Sequence, residues 1–411
     1  MKKENRKEIS MEKLKKTFID HPLLISICIL AVISCFAILS AAPLISSKVG
    51  NPNTIWLKQA VFYCLSAIIV FIIYYIGNEA IYDNIHIIYY ICLFLLFLLA
   101  FDHILTDKIL GWPTDRTIIP LVNSVNGATS WFQLPGFSLQ PSEFMKIIII
   151  IYLSKITKEH NDNMLIRSFH SELDYLLNVA KIIIPPVLLI LLQNDTGVVL
   201  IILVGIFFVV YSSGLRKQWF MFVFIAAISV ILLGIYLFLF QHDIFSSLLP
   251  PHQLSRIYGW IDPEGTIGNE GYQLFYSLLS YGSAGWLGHG FQAVIKVFPE
   301  AQTDFIFAVI ATDYGFIGGF ITIAAIVTLD VVILNIGMNS TDHKDKFFAM
   351  GIFGLLLFQQ MWNIGMILGL LPITGITLPF ISYGGSSLLS YMIAIGLLFN
   401  IEHQNNILKN R

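Results

Sequence analysis

Long apolar stretches separated by short polar connections run along almost the whole chain. Most are near the ~20 residues that an α-helix needs to cross the hydrocarbon core of a bilayer. The pattern predicts an all-α integral membrane protein with about ten transmembrane helices, at residues 22–45, 55–77, 84–102, 143–157, 179–193, 196–213, 219–240, 304–337, 346–370 and 378–400. The eighth stretch is longer than a bilayer requires, so we expect it to tilt, bend or continue beyond the membrane.

Composition supports this class and excludes an ordinary soluble domain. Hydrophobic residues make up 56% of the chain and charged residues 12%, with a mean hydropathy of +0.76. Soluble domains carry roughly 25% charged residues. The net charge of −2 gives no reason to expect a nucleic-acid partner, whereas contact with membrane lipid follows from the apolar spans.

The distribution of positive charge predicts the orientation. Most of the 24 basic residues fall in the N-terminal arm, the C-terminal end and the even-numbered connections, which the positive-inside rule places in the cytoplasm together with both termini. We therefore expect residues 1–21 to form a basic cytoplasmic arm and residues 22–411 a single polytopic domain. The long connection at 241–303 then becomes a large extracytoplasmic loop between helices 7 and 8, rich enough in Gly, Pro and aromatic residues to fold as a cap.

A carboxylate stands where the eighth apolar stretch begins. Asp304 follows Thr303 there, and an acid at the entrance of a membrane helix is a functional-site hypothesis because it is costly to keep. In the alternative interpretation, Thr303 caps the helix and Asp304 complements the helix dipole, an arrangement that contributes about 0.3–1 kcal/mol. The residues alone leave both interpretations open.

Three runs resemble signatures of one bacterial membrane-protein family. They are FSLQPSEFMK at 137–146, PEAQTDFIFA at 299–308 and LPITGITLPFISYGGSS at 371–387. In residue identity, order and position they resemble signatures of the SEDS family (shape, elongation, division and sporulation), which includes RodA, FtsW and SpoVE. The overall pattern is somewhat closer to that of RodA. The resemblance covers the chain from the first span to the last. It implies a peptidoglycan glycosyltransferase in the bacterial cytoplasmic membrane that polymerises lipid II at the outer face, together with a class B penicillin-binding protein that crosslinks the product.

Such a reaction joins a sugar hydroxyl to an anomeric carbon and expels a lipid diphosphate, so it needs a proton acceptor and cations near the leaving group. The resemblance implies that Asp304 is the catalytic base. The candidate substrate-binding residues are Glu143, Lys146, Arg256, Lys296 and Asp195.

Each of these residues also has a simpler interpretation. Glu143 and Lys146 lie three residues apart on one helix face, so they can neutralise each other as well as face a diphosphate. Arg256 precedes an Asp-Pro pair as in the family, yet a lone arginine in an outer loop is often solvated. Asp195 stands in a short turn where Asp is ordinary. The run 384–387 can offer helix N–H groups to a phosphate or serve as a glycine hinge with serine capping.

The chain departs from the family pattern at several positions, which are Thr129, Ser130, Asn194, Tyr276 and Thr312. These departures leave open whether it serves elongation, division or sporulation. No cofactor motif and no metal-ligand spacing is evident, although the resemblance implies that a divalent cation, Mg or Mn, can assist. Two other functions remain as alternatives: a lipid II flippase or transporter, and a non-enzymatic scaffold for a transpeptidase. The motifs lie at the predicted outer ends of the helices, which favours chemistry at the outer face.

Overall fold

The computed structural model describes residues 22–45, 51–111, 117–125, 128–163, 168–268 and 271–409. The predicted cytoplasmic arm at 1–21 lies outside the described residues. In chain order the elements are α1 (Pro22–Ala41), α2 (Ile55–Ile76), α3 (Asn78–His103), β1 (Val122–Val125), β2 (Ala128–Leu134), β3 (Phe137–Leu139), α4 (Pro141–Asn163), α5 (Phe169–Leu192), α6 (Thr196–Ser212), α7 (Lys217–Phe240), α8 (His242–Leu248), α9 (Pro251–Ile261), α10 (Gly271–Gly282), α11 (Ile306–Met338), α12 (His343–Ile367) and α13 (Gly385–Lys409).

The predicted class, an all-α membrane protein, is confirmed. Within the described part of the chain, eight helices are long and apolar enough to cross a membrane by length and composition. The helix α6 is a shorter apolar helix of 17 residues, and α4 has 23 residues with a charged segment at its end. Helices therefore occupy all ten predicted positions, while the number that cross the membrane stays a prediction.

The connection predicted at 157–179 is mostly helical. The helix α4 continues to Asn163, beyond the predicted end at 157, and α5 begins at Phe169, ten residues before the predicted start at 179. Ser168 explains the early start, because its side chain accepts a hydrogen bond from the Ser171 backbone and Ser171 reciprocates, which is a capping box. The polar residues that the structure describes at 157–163 and 169–179 belong to helix ends.

The long helix α11 folds back on itself at Gly315, which has φ 62° and ψ −156°. A Cβ built on Gly319 would lie 3.4 Å from the ring of Phe307, and one on Gly318 would lie 3.4 Å from the carbonyl oxygen of Ile310. Residues eight and twelve positions apart in a straight helix are about 12 and 18 Å apart along the axis. The excess length predicted for the eighth span is thus used in a sharp bend, which brings Phe307 and Ile310 close to Gly318 and Gly319.

The loop at 285–290 fastens this bend. The backbone N–H groups of Phe316 and Ile317 donate to the carbonyl oxygens of Gly285 and Trp286, at 3.0 and 3.2 Å. A Cβ on Gly315 would approach the backbone nitrogen of Gly288 to 2.5 Å. The break in α11 therefore depends on a glycine, both for its positive φ and for this close backbone contact. The rest of the predicted loop, 241–303, contains α8, α9 and α10, so it is folded.

A small antiparallel sheet, which the sequence analysis did not predict, joins α3 to α4. Its strand order is β1-β2-β3, with Val122 opposite Phe132 and Phe132 opposite Leu139. Val122 and Phe132 are buried against Leu99 near the end of α3. The sheet packs against the end of α3.

Paired charges lie near the end of α4 and at the starts of α3, α5, α7 and α12. Lys344 lies 2.9 Å from Glu79, Lys158 lies 2.9 Å from Asp342, and Arg216 lies 3.5 Å from Glu172. All six residues come from segments predicted to be cytoplasmic. The helices α4, α12 and α13 form the enclosed centre, whereas α7 has no buried residue.

Candidate active site

A buried ion pair stands at the first turns of α4. The Nζ of Lys146 lies 2.7 Å from Oε2 of Glu143, 3.5 Å from Oε1 of Gln359 and 4.1 Å from the ring centroid of Tyr391. Lys146 has no solvent exposure and Glu143 is 6% exposed. The predicted self-neutralising pair is therefore present, and it is satisfied by further contacts, as a buried charge requires.

Asp195 belongs to the same cluster. It caps α6, and its carboxylate accepts hydrogen bonds from the backbone of Val198 at 3.4 Å, from Nε2 of Gln140 at 2.9 Å and from Oγ of Ser142 at 3.3 Å. Burial, and after it the negative charge of Glu143, raise the pKa of Asp195 to about 6 against the lowering effect of these hydrogen bonds. The turn between α5 and α6 is thereby fixed to the start of α4.

Asp304 lies in the turn just before α11, and the capping interpretation of this region is wrong. The helix begins at Ile306 after Phe305, with no side-chain cap. The Oγ1 of Thr303 instead donates to Oε2 of Glu300 at 2.7 Å. Asp304 is half-buried as a residue. Burial raises its pKa to about 7; the charge of Glu300 also raises it and that of Arg256 lowers it.

Arg256 approaches Asp304 from α9 across one loop of the chain. Its Nη1 donates to the carbonyl oxygen of Thr374 at 3.1 Å. The next residue, Gly375, has φ +75°, and a Cβ built on it would lie 3.4 Å from Oδ2 of Asp304. The pair Thr374 and Gly375 thus separates the guanidinium from the carboxylate and lines the carboxylate on one side.

Two amides on α12, which the sequence analysis missed, join the Lys146 cluster to Asp304. Gln359 donates to the carbonyl oxygen of Thr377 at 2.9 Å, and Asn363 donates to the carbonyl oxygens of Ile376 and Asp304 at 2.7 and 2.8 Å. Both side chains are at most 1% exposed. The sequence does contain a signal for them, because two amides one helical turn apart inside an apolar helix are costly unless they have a role.

Lys296 is not brought into this cluster. It is exposed, and among its described contacts its Nζ lies 5.7 Å from the ring centroid of Tyr276. The departures at Thr129 and Thr312 serve local contacts, because Thr129 pairs with Nδ1 of His103 at 3.0 Å and Thr312 donates to the carbonyl oxygen of Ala308 at 2.7 Å. Ser130 is buried on β2.

The serine run before α13 connects elements of the fold. The backbone N–H of Gln140 donates to Oγ of Ser386 at 3.0 Å, and that hydroxyl donates to the carbonyl oxygen of Ser138. A Cβ on Gly385 would come within 3.0 Å of the rings of Phe137 and Phe62. Ser386 therefore fastens α13 to the start of α4, and both interpretations of this run, phosphate binding or hinge and cap, stay predictions.

The described residues offer no set of three or more His, Cys, Asp or Glu side chains that could hold a metal ion. The carboxylates of Glu300 and Asp304 influence each other, but two acidic groups do not make the ligand set that a tightly held ion requires. We derive no step through a metal, and the divalent cation implied by the resemblance stays a prediction.

Comparison with known proteins gives consistent matches. The family model of FtsW, RodA and SpoVE, described as a cell cycle protein, matches residues 21–407. A probable peptidoglycan glycosyltransferase FtsW of Lactococcus lactis is 30% identical over 94% of this chain and 93% of its own, and the stage V sporulation protein E of Bacillus subtilis is 35% identical over 69% of this chain and 74% of its own.

Two solved structures share the fold. One, from a study titled "Structural coordination of polymerization and crosslinking by a peptidoglycan synthase complex", has a TM-score of 0.72 and 24% identity, covering 93% of this chain and 97% of that chain. The rod shape determining protein RodA of Thermus thermophilus has a TM-score of 0.62 and 23% identity, covering 93% of this chain and 96% of its own. These likenesses show a shared fold, and the closer resemblance to RodA than to FtsW stays a prediction.

Proposed function

The chain belongs to the FtsW, RodA and SpoVE family of cell cycle proteins, and on that basis we propose that it is a peptidoglycan glycosyltransferase whose catalytic base is Asp304. Its relatives in Lactococcus lactis and other bacteria are named as probable peptidoglycan glycosyltransferases. The observation that carries the assignment of the base is a half-buried carboxylate just before α11, whose pKa burial raises to about 7 and whose backbone carbonyl is held by Asn363. A base works best when its pKa lies near the working pH.

The proposed reaction uses Asp304 as the base and Arg256 as the cation near the leaving group. Asp304 takes the proton of the acceptor sugar hydroxyl while the hydroxyl oxygen forms a bond to the anomeric carbon of the donor. The bond between that carbon and the diphosphate oxygen breaks, and the diphosphate leaves with the electron pair. Arg256, half-buried beside Thr374, is placed to stabilise the charge that develops on the leaving group.

Lys146 acts differently in this proposal from a freely accessible cation. It is fully enclosed and paired with Glu143, so direct contact with a diphosphate requires the pair to open. In the structure the enclosed ammonium acts on the site through its electrostatic field, and this field is stronger where water is excluded. Glu143 keeps that charge tolerable, and Asp195 holds the start of α4 through Gln140 and Ser142.

We propose lipid II as the substrate, the outer face of the bacterial cytoplasmic membrane as the location, and a class B penicillin-binding protein as the partner. The orientation rests on the positive-inside rule. It is supported by the gathering of Lys344, Lys158 and Arg216 at the end opposite Asp304. Both termini are then cytoplasmic. The partner is supported by the structural relative whose title couples polymerisation with crosslinking.

The test uses purified protein and labelled lipid II, either in detergent or displayed on the outer leaflet of vesicles, with and without a partner transpeptidase and divalent cations. We expect glycan strands that resolve on a gel, formed without a membrane potential. Transport of labelled lipid II across vesicles, with no disaccharides ever linked under any of these conditions, would instead establish a flippase. Stimulation of an active transpeptidase without any strand formation would establish a scaffold.

A further inference from the structure

Two amides of α12 hold the two parts of the site, and we infer that Gln359 and Asn363 are positioning residues that set the separation between the Lys146 ammonium and the Asp304 carboxylate. The inference rests on the proposed glycosyltransferase function and adds to it two residues that touch the catalytic machinery without touching the substrate.

Asn363 fixes the backbone on which Asp304 stands. Its Nδ2 donates to two carbonyl oxygens, those of Asp304 at 2.8 Å and Ile376 at 2.7 Å. The orientation of the amide is determined by these neighbours, because the opposite orientation would place Oδ1 against two carbonyl oxygens. One donor hydrogen therefore bonds to the carbonyl oxygen of Asp304 and the other to that of Ile376. Asn363 has no solvent exposure.

Gln359 makes the corresponding link to Lys146. Its Nε2 donates to the carbonyl oxygen of Thr377 at 2.9 Å, and its Oε1 accepts from the hydroxyl of Tyr391 and from Nζ of Lys146 at 3.5 Å. One amide therefore contacts the loop at 371–384 and the buried cation at the same time. Such a network is more rigid than its single bonds because each bond restricts the others.

The two amides bind neighbouring residues of the same loop. Gln359 and Asn363 lie one helical turn apart, about 6 Å along the axis of α12, and they bind the consecutive residues Ile376 and Thr377. The separation between the cation and the base is therefore set by one rigid turn of helix and by an extended loop held at two adjacent carbonyl groups. A displacement of about 1 Å can cost a factor of about 100 in rate, so this spacing matters to the reaction.

Gln360 is the matched comparison within the same helix. It is 4% exposed, and its Nε2 donates to Oδ1 of Asp330 at 3.2 Å. It is a buried amide on α12 like its neighbour, yet its described bond joins α12 to α11 and not to the site. Loss of the Gln360 amide should lower the stability of the protein without changing kcat relative to KM.

The experiment compares Asn363→Asp, Gln359→Met and Gln360→Met in steady-state polymerisation of labelled lipid II. Asn363→Asp keeps the shape and replaces two N–H donors with one O–H when protonated and none when ionised, so at least one of the two carbonyl bonds is lost. We expect kcat to fall about 10-fold or more while KM stays within about 2-fold, because the base is displaced. Gln359→Met should raise KM about 5-fold or more with a smaller change in kcat, because the cation is displaced. Gln360→Met should leave both parameters within about 2-fold. Where Asn363→Asp does not accumulate, Asn363→Gln retains the amide but shifts it by one methylene, and the same fall in kcat is expected.

A second readout does not need activity. Hydrogen exchange of peptides spanning 371–384 should be faster in the Asn363 and Gln359 variants and unchanged in Gln360→Met. Equal effects of all three substitutions on kcat and KM would overturn the positioning role and leave two structural amides, even with faster exchange. Wild-type protein that never links disaccharides would overturn the proposed function, and this inference with it, whatever the exchange shows.

Discussion

Gly375 lies directly against Asp304, since a methyl group placed on the glycine would sit 3.4 Å from Oδ2 of the carboxylate. The glycine also has φ +75°, a conformation that costs about 1–2 kcal/mol for an alanine. The backbone at this position therefore forms one wall of the site, and its shape depends on the missing side chain.

The substitution Gly375→Ala tests this wall. We expect polymerisation to fall about 10-fold, because relief of the backbone strain moves the loop that separates Arg256 from Asp304. Gly384→Ala is the control on the same segment, since a Cβ there would meet its nearest atom at 3.9 Å and the glycine has no positive φ. Equal activity of the two variants, measured on strands formed per minute, would show that the wall is unimportant.

Glu300 should tune the pH dependence of the reaction. Burial raises the pKa of Asp304 to about 7, Glu300 raises it and Arg256 lowers it. A base must be deprotonated to act, so wild-type kcat/KM should fall as the pH drops through about 7. Glu300→Gln removes a neighbouring negative charge and keeps the acceptor for Thr303, so the acid limb should move to lower pH.

Two further variants complete this pH series. Arg256→Gln removes the charge that lowers the pKa of Asp304, so the acid limb should move to higher pH, with a lower rate throughout. Glu264→Gln alters an exposed carboxylate elsewhere in the same loop and should leave the profile in place. A profile that does not move in Glu300→Gln would mean that another group limits the rate at low pH.

The buried pair of Lys146 and Glu143 combines a structural and a functional role, which a double substitution separates. Lys146→Met leaves Glu143 buried without its partner and should lower the free energy of unfolding by about 3–5 kcal/mol. The double variant Lys146→Met/Glu143→Gln should recover most of that loss and still polymerise poorly, because the positive charge is gone.

Thermal unfolding in detergent and strand formation are the two measurements for this pair. The exposed pair of Lys158 and Asp342, with side chains 32% and 30% exposed, gives the comparison: Lys158→Met should change stability by at most about 1 kcal/mol and leave activity intact. A double variant that is both stable and active would make the pair a purely structural element.

The sequence predicted the positions of the apolar helices because each is set by local hydropathy. It also predicted that Glu143 and Lys146 would share one helix face, because they lie three residues apart. Asp195, Arg256 and Asp304 were assigned to the outer side as candidates, but the sequence did not predict which of them would meet. Lys296 illustrates the limit, since a loop cation can point to solvent as easily as to a site.

Other features depend on contacts that no local pattern contains. Residues 306–338 are mostly apolar, and although Asp313 interrupts them, their periodicity does not predict the reversal at Gly315, which requires the backbone of the loop near Gly288. The full burial of Lys146 depends on Gln359 and Tyr391, more than two hundred positions further along the chain. Tertiary packing, and not propensity, determines both.

The most direct test of the account is polymerisation of lipid II by Asp304→Asn. The amide keeps the size of the side chain and the backbone bond from Asn363 but cannot accept the proton, so the rate should fall about 100-fold or more while folding and membrane insertion stay unchanged. Thr303→Val, which removes the neighbouring hydroxyl that donates to Glu300, is the matched control and should stay within about 3-fold of wild type. Strand formation by a well-folded Asp304→Asn protein within a few-fold of the wild-type rate would contradict the assignment of Asp304 as the catalytic base.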